Sequence, residues 1–503
     1  MNKITLATSV IANWAFFIIT ILVAFIVSPI MVNKLGDEVY GVWVLMVSIG
    51  GYFTVLDFGI NTALVRFLSK YTAVKEYDKA AQMYSSAFLF FSIAGAFVVV
   101  LIAILGLFFK DFFNVELFDK RYLYLVFIIV GVDLAINLIF GVLSGSLRGM
   151  QNFLELNIIL IVTTVIKNVI LVSLLLNGYS LLALAILQAA TSVMQYLAQY
   201  IFIKKKYKFL RFKISLINKP TFKQMFDYSI YSFLIAIALK VLFYTDSIVI
   251  GSMVSLQGVT FYAIPAMIVE NLEKFIWAII AVLIPIISSR EAVGKVEENA
   301  QIYLIGTKYT LLLCAPVIAV LLIIGDDFIG LWMGESYAEP SGQVLSILLV
   351  AYIFSLSQLI AQGILKGISK HKALAYILCI QAVFNLGMSI LLAPAYGIVG
   401  VAVGTAIPLL VANVLIIPYY TCNELNVNYV KYITNGVLKP SILIVIFYMI
   451  FEYLDTNVGS YFEVIIFSLL VLVLMWLFSL FFLVEKDHQT WLWLKTKKIF
   501  VAS

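Results

Sequence analysis

Long apolar stretches separated by short polar breaks recur fourteen times along the chain. They fall at about 6–32, 40–64, 84–109, 122–147, 155–177, 180–203, 225–251, 260–286, 303–325, 343–365, 373–394, 397–420, 438–454 and 461–484. A helix needs about 20 mostly apolar residues to cross the hydrocarbon of a bilayer, and only helices or closed barrels satisfy their backbone groups there. The pattern therefore predicts an all-α membrane protein of about fourteen transmembrane helices. The thirteenth stretch is short and contains Glu452. The first is too long for the apolar region of a secretory signal and is followed by no small-residue cleavage site, so it is expected to be a helix of the fold.

The polar breaks carry an internal repeat. Lys79-Ala80-Ala81-Gln82-Met83-Tyr84 resembles Glu298-Asn299-Ala300-Gln301-Ile302-Tyr303, 219 residues later. Gly145-Ser146-Leu147-Arg148-Gly149 resembles Gly363-Ile364-Leu365-Lys366-Gly367 at an offset of 218. An offset of six helices, an even number, makes the halves parallel repeats about an axis along the membrane normal. The expected organisation is an N-lobe over 1–203 (helices one to six) and a basic linker over 204–224. A C-lobe over 225–421 (helices seven to twelve) follows, then 422–503 with the last helix pair and a tail.

Composition closes off other classes. Of 503 residues, 63% are hydrophobic and 12% charged, against roughly 45–50% and 25% in soluble domains; soluble enzymes, nucleic-acid binders and disordered chains are excluded. The net charge of +6 reflects orientation. With the N-terminus in the cytoplasm, 26 of the 33 Lys and Arg fall on the cytoplasmic side, four outside (Lys34, Lys110, Lys120, Arg121) and three within helices, as the positive-inside rule demands. Both termini are then cytoplasmic. Three cysteines (Cys314, Cys379, Cys422) lack paired spacing, and His371 and His488 lack a cluster, so neither a disulfide framework nor a metal site is expected. No phosphate-binding Gly-Lys-Ser/Thr loop occurs, so the chain does not hydrolyse ATP itself. The external 326–342 loop holds Asp326, Asp327, Glu335 and Glu339 and no basic residue, which disfavours an enzyme.

Leu35-Gly36-Asp37-Glu38-Val39-Tyr40-Gly41, Leu56-Asp57-Phe58-Gly59-Ile60-Asn61 with Arg66-Phe67, and Leu147-Arg148-Gly149-Met150-Gln151-Asn152-Phe153 carry a family resemblance. The chain resembles the polysaccharide transporters, Wzx-type O-antigen flippases, of the multidrug/oligosaccharidyl-lipid/polysaccharide exporter superfamily. The resemblance implies an inverted V of two bundles around a central cavity that moves an undecaprenyl-diphosphate-linked oligosaccharide outward by alternating access. Asp57, Gly59 and Arg66 match its motif. Multidrug exporters and lipid II flippases share the fold; the former usually have twelve helices, so fourteen favours a lipid-linked sugar carrier.

Charges at membrane depth cost about 2.5–3.5 kcal/mol each and therefore face water or a partner. Lys167, Lys240 and Lys274 lie well inside helices and are candidates for a cationic cavity lining that meets a diphosphate, with Arg66 and Arg148 at the cytoplasmic edge. The competing reading of Lys274 is an ion pair with Glu270, four residues away on one helical face; ordinary positive-inside anchoring competes at Arg66 and Arg148. Asp57, Asp133, Asp246, Glu270 and Glu273 are the acidic residues at depth. Asp57 with Asn61, and Asp133 with Asn137, are spaced to share a face and could take a coupled proton or Na⁺; interhelical hydrogen bonding is the plainer role. Pro29, Pro265, Pro285, Pro316 and Pro408 are candidate hinges or static kinks.

The expected function is translocation of a lipid-linked oligosaccharide across the bacterial cytoplasmic membrane in O-antigen or capsule synthesis. No cofactor is expected beyond a coupled proton or Na⁺; the partners are the substrate and other polysaccharide-assembly membrane proteins, with no nucleic acid. A cation-coupled multidrug exporter on the same fold and a membrane glycan polymerase or ligase are the alternatives.

Overall fold

The structure is a computed structural model that describes residues 3–484 apart from 292, 369 and 455, with the side chains of 3–11, 227–232, 281, 282, 285, 286 and 289 not described. The described residues form helices and no strand. In chain order these are α1 (Lys3–Leu35), α2 (Asp37–Phe53), α3 (Ile60–Ala73), α4 (Tyr77–Phe112), α5 (Lys120–Gly149), α6 (Phe153–Leu176) and α7 (Leu181–Lys206). They continue with α8 (Lys219–Met253), α9 (Leu256–Glu291), α10 (Val296–Met333), α11 (Ala338–Gly367) and α12 (His371–Leu410). The last four are α13 (Ile417–Glu424), α14 (Tyr429–Tyr432), α15 (Lys439–Tyr453) and α16 (Tyr461–Phe482).

Twelve described segments are long and apolar enough to cross a membrane. One of them, His371–Glu424, has 54 residues, about 80 Å of helix at 1.5 Å per residue, which is too long for one crossing. It breaks at Gly397, whose φ of 59° and ψ of −138° are not helical, between the two stretches expected there. The remaining expected span is α9, whose central Glu270, Glu273 and Lys274 interrupt an otherwise apolar helix of 36 residues. The chain is an all-α, multi-pass membrane protein with the expected spans in place. The thirteenth is longer than its hydropathy suggested: it starts at Tyr429, where the Asn428 side chain accepts a hydrogen bond from the Lys431 amide at 2.9 Å. A π-helical turn (Ile433–Leu438) carries it into α15.

The second span departs from expectation. A continuous helix over 40–64 was predicted; instead α2 ends in a 3₁₀ turn (Thr54–Asp57), and Phe58 and Gly59 both take left-handed backbone before α3 begins. Asp57 Oδ1 accepts the Asn61 amide at 2.9 Å, satisfying one of the orphan donors of the new helix. Asp57 and Asn61 therefore do not share one helical face. Phe58 is held by rings from α4 and α8, its centroid 5.9 Å from Phe90 and 4.5 Å, stacked, from Phe233. Glycine tolerates φ 71° at position 59, where a Cβ costs about 1–2 kcal/mol. Gly59→Ala should destabilise the purified protein by that margin, read as a lower thermal unfolding midpoint; an unchanged midpoint would show that the left-handed turn is dispensable.

By packing, the chain forms two compact units, Met1–Ala263 with Ala393–Val401, and Ile264–Leu392 with Ala402–Ser503. In the first, α4 lies along α5, α5 along α7, α1 along α6, and α8 on α2 and α3; the basic 204–224 stretch runs inside it. In the second, α10 packs on α11, α15 and α16. Interior departures from α-helix occur at Ile324, eight residues past Pro316, at Gly397, and at a π-helical turn (Val411–Ile416) that begins three residues past the candidate hinge Pro408.

The repeat has a packing explanation within each unit. A Cβ on Gly145 would collide with Asn61 Oδ1, and one on Gly149 would stand 3.0 Å from Leu68 Cβ and 3.1 Å from the Val65 carbonyl oxygen. In the second unit, a Cβ on Gly363 would meet Ile280 at 2.7 Å, and one on Gly367 would meet Ile287 at 2.7 Å and the Ile284 carbonyl at 3.5 Å. Asn61 and Ile280, Val65 and Ile284, and Leu68 and Ile287 are each 219 residues apart. The same small-residue crossing, which lets backbones approach closely in lipid, is thus built twice.

Candidate functional site

A polar ladder runs between α5 and α7. Asp133, 3% exposed, accepts from Asn137 Nδ2 at 3.0 Å, and the same nitrogen reaches Ser192 Oγ at 3.3 Å. Ser192 and Gln188 also hydrogen-bond the Asp133 carboxylate. Tyr196 OH donates to Asn137 Oδ1 at 3.1 Å, and farther along Ser144 donates to Gln199 Oε1 at 2.8 Å. Asp133 and Asn137 share a face, as their spacing predicted, and that face meets the polar face of α7. Lys167 on α6 is half-buried and lies within electrostatic reach of Asp133. The ladder thus combines a buried acid and a base at membrane depth.

Lys240 on α8 belongs to a second group. Its ammonium stands 4.9 Å from the centroid of the Tyr244 ring, a distance at which the π face attracts a cation. Tyr244 lies beside Tyr52 of α2, centroids 6.2 Å apart, and Tyr52 OH hydrogen-bonds Thr245. Tyr262 OH donates to the buried Asp246 at 2.5 Å. Aromatic rings, hydroxyls, a carboxylate and an ammonium are gathered here from α2, α8 and the first turns of α9, all within the first unit.

The second unit contributes a third group. Lys274 Nζ lies 2.9 Å from Glu270 Oε2, the geometry of an i, i+4 pair. Glu273 accepts a hydrogen bond from the Trp277 indole, and Lys366 of α11 stands over the same indole at 4.2 Å. Glu273, Trp277 and Lys366 therefore form one unit across α9 and α11. Lys366 was missing from the sequence-derived candidates because it was assigned to the cytoplasmic margin; its repeat mate Arg148 was the available signal. Trp277, one turn beyond Glu273, carried no signal of its own.

Arg66 and Arg148 are exposed. Arg66 lies in the middle of α3, 5.9 Å from the Phe67 ring centroid, and Arg148 in the last turn of α5. Arg148 lies within electrostatic reach of Tyr196 on the α5–α7 ladder. Asp57 is engaged by the Asn61 amide at the helix break.

The model of a family described as polysaccharide biosynthesis proteins matches residues 6–291, more than half of the chain. A Shigella flexneri protein described as a candidate O-antigen transporter is 23% identical over 396 residues, 78% of this chain and 92% of that one. A Haloferax volcanii protein, described as a candidate low-salt glycan biosynthesis flippase, is 26% identical over 392 residues, 76% of each chain. Among solved structures, the lipid II flippase MurJ in an inward closed conformation superposes with a TM-score of 0.71 at 15% identity, covering 94% of this chain and 98% of its own. An inward-facing multidrug transporter of the MATE family and MOP superfamily gives 0.70 at 13% identity, covering 83% and 98%. These structural likenesses show the fold of the exporter superfamily. The matched segment contains the helix break, the α5–α7 ladder and the Lys240 group, and this chain belongs to the polysaccharide biosynthesis protein family of multi-pass membrane proteins.

Proposed function

We propose that the chain is a flippase that carries a lipid-linked oligosaccharide across the cytoplasmic membrane during surface-polysaccharide synthesis, with both termini in the cytoplasm. The observation that carries the reading is the placement of Lys167 and Lys240 at membrane depth inside the family-matched half. A diphosphate-linked sugar cannot cross hydrocarbon unaided, and ammonium groups attract phosphate as point charges. Hydroxyls and rings around Lys240 offer hydrogen bonds and stacking faces to a sugar. In this reading the chain makes and breaks no bond; it moves a polar head group while the apolar lipid tail remains in the bilayer.

Coupling falls to the acids. Asp133 and Glu273 each lie within electrostatic reach of a base, Lys167 and Lys366, so a proton or Na⁺ taken up at either would redistribute charge in its group. Glu270 is engaged by Lys274 and Asp57 by a backbone amide, which leaves them less suited to that task.

The test is K167Q/K240Q in proteoliposomes, with leaflet exchange of a lipid-diphosphate oligosaccharide followed by lectin accessibility. Loss of a charge-assisted contact of about 1.5–3 kcal/mol predicts at least a roughly tenfold slower exchange, with K167R/K240R retaining part of it. Wild-type exchange in the double glutamine variant would refute the assignment. Transport of cationic drugs, with no exchange of the lipid-linked sugar, would place the chain with the multidrug exporters.

A further inference from the structure

From the last turn of α7, through the connecting segment 207–218 and into the first turns of α8, the chain carries Lys204, Lys205, Lys206, Lys208, Arg211, Lys213, Lys219 and Lys223 and no acidic residue over positions 204–223. Positive-inside bias explains why such charges stay on one side of the membrane, but not the conformation they adopt. The segment is not a loose loop. Leu210 is buried in the apolar core formed with α3 and α4, and the Tyr77 and Phe209 rings lie 4.6 Å apart. Ser85 Oγ donates to the Arg211 carbonyl at 3.3 Å and accepts the Lys213 amide at 3.2 Å. Phe212 packs its ring 5.1 Å from Phe88. The segment is therefore a strap laid along α4 between Tyr77 and Phe88.

That placement sets its depth. The apolar stretch of α4 begins at about residue 84, so Arg211 and Lys213, hydrogen-bonded at Ser85, stand at the level where hydrocarbon gives way to head groups. Tight turns at Tyr207–Arg211 bury Leu210, while Arg211 and Lys213 are exposed. Next to them Phe212 is 41% and Ile214 76% exposed, apolar side chains that water would not favour at the end of a rigid strap. Lys206 is tied to Asn152 at 2.6 Å and to Glu155 at 3.3 Å. By contrast, Lys205, Lys208, Arg211 and Lys213 have no acidic partner among the described residues. Cations without acidic partners, interleaved with exposed apolar groups at interfacial depth, match the phosphate and acyl boundary of an anionic leaflet.

We propose that this strap is a binding surface for anionic phospholipid head groups of the leaflet it faces. Lys205, Lys208, Arg211 and Lys213 take the phosphates, while Phe212 and Ile214 enter the acyl boundary. Juxtamembrane cations contribute about 1 kcal/mol each toward an anionic leaflet, so a selectivity several-fold above that for a zwitterionic lipid is expected, screened by salt. The test uses the full chain in phosphatidylcholine bilayers with spin-labelled phosphatidylglycerol or phosphatidylcholine as the probe. The wild type should restrict phosphatidylglycerol at least about fivefold more strongly, and 0.5 M NaCl (on the order of a 4 Å screening length) should reduce that preference. K205Q/K208Q/R211Q/K213Q should bring it near unity, and K205R/K208R/R211K/K213R should keep it; the wild-type salt titration stands even if the glutamine variant does not fold. Equal restriction of the two lipids by the wild type would overturn the proposal, as would a preference that the glutamine variant retains. So would a strap that discriminates only a prenyl diphosphate added in competition, which would make it a substrate-capture surface.

Discussion

Gly404→Leu is expected to destabilise the second unit more than any other single change considered for this chain. A Cβ at position 404 would lie 2.7 Å from the Ser389 amide nitrogen and 2.8 Å from its Cα. Those are backbone atoms of the facing half of α12, and no rotamer moves them aside. The two halves would have to separate, breaking the buried Asn385 Nδ2 to Thr405 Oγ1 hydrogen bond of 2.7 Å alongside. Overpacking costs about 1–3 kcal/mol, and forcing backbones apart puts this site at or above the upper figure. Lipid adds no hydrophobic drive to close the gap again, because its tails are as apolar as the helix surfaces. Thermal unfolding followed by size-exclusion chromatography should show a large drop in midpoint or no monodisperse protein. Gly387→Ala, on the same helix with no atom within 4 Å of the added methyl, should be neutral or stabilising by up to about 1 kcal/mol. Equal midpoints for the two variants would contradict the close crossing.

Asp133→Ala should cost about 2–3 kcal/mol, and Lys167→Met should recover part of that loss. Removing the carboxylate strips an acceptor from Asn137, Ser192 and Gln188 at once; a buried donor left without a partner costs about 1–3 kcal/mol. It also leaves Lys167 without the anion that offsets its charge, in a medium where an uncompensated ammonium is expensive. The double variant removes both charges, so its midpoint should lie above that of Asp133→Ala alone. A strictly additive double variant would show that the two residues do not communicate. Leaflet exchange read on the same proteins separates roles: recovery of stability without recovery of exchange is the result expected if the acid–base couple works in transport.

Much of this was legible along the chain. Hydropathy sums over some 20 residues are local quantities, so the fourteen spans, including the one interrupted by Glu270, Glu273 and Lys274, could be read directly. The Gly145–Gly149 and Gly363–Gly367 repeat was also visible, though its meaning was not: only the packing shows that each pair lets a neighbouring helix approach its backbone. The break at Phe58–Gly59 was missed because a single glycine inside a long apolar stretch is a weak local signal. The rings of Phe90 and Phe233 that stabilise a left-handed phenylalanine come from distant segments.

The same distinction runs through the charged residues. The cost of burying a charge in hydrocarbon belongs to the residue and its helix, so sequence alone picked out Lys167, Lys240, Lys274, Asp133 and Glu273 as residues that need a partner or water. It also paired Glu270 with Lys274, because one helical turn decides that contact. One turn also sets Lys240 against Tyr244, Asp133 against Asn137 and Glu273 against Trp277, whereas their partners on other helices depend on how elements far apart in sequence are turned toward one another. Tertiary structure set Asp133 against α7, brought Tyr52 to Tyr244, brought Lys366 to Trp277 and Glu273, and folded the basic strap against Ser85. Spans and cost are sums over neighbours in the chain, whereas partners are fixed by neighbours in space.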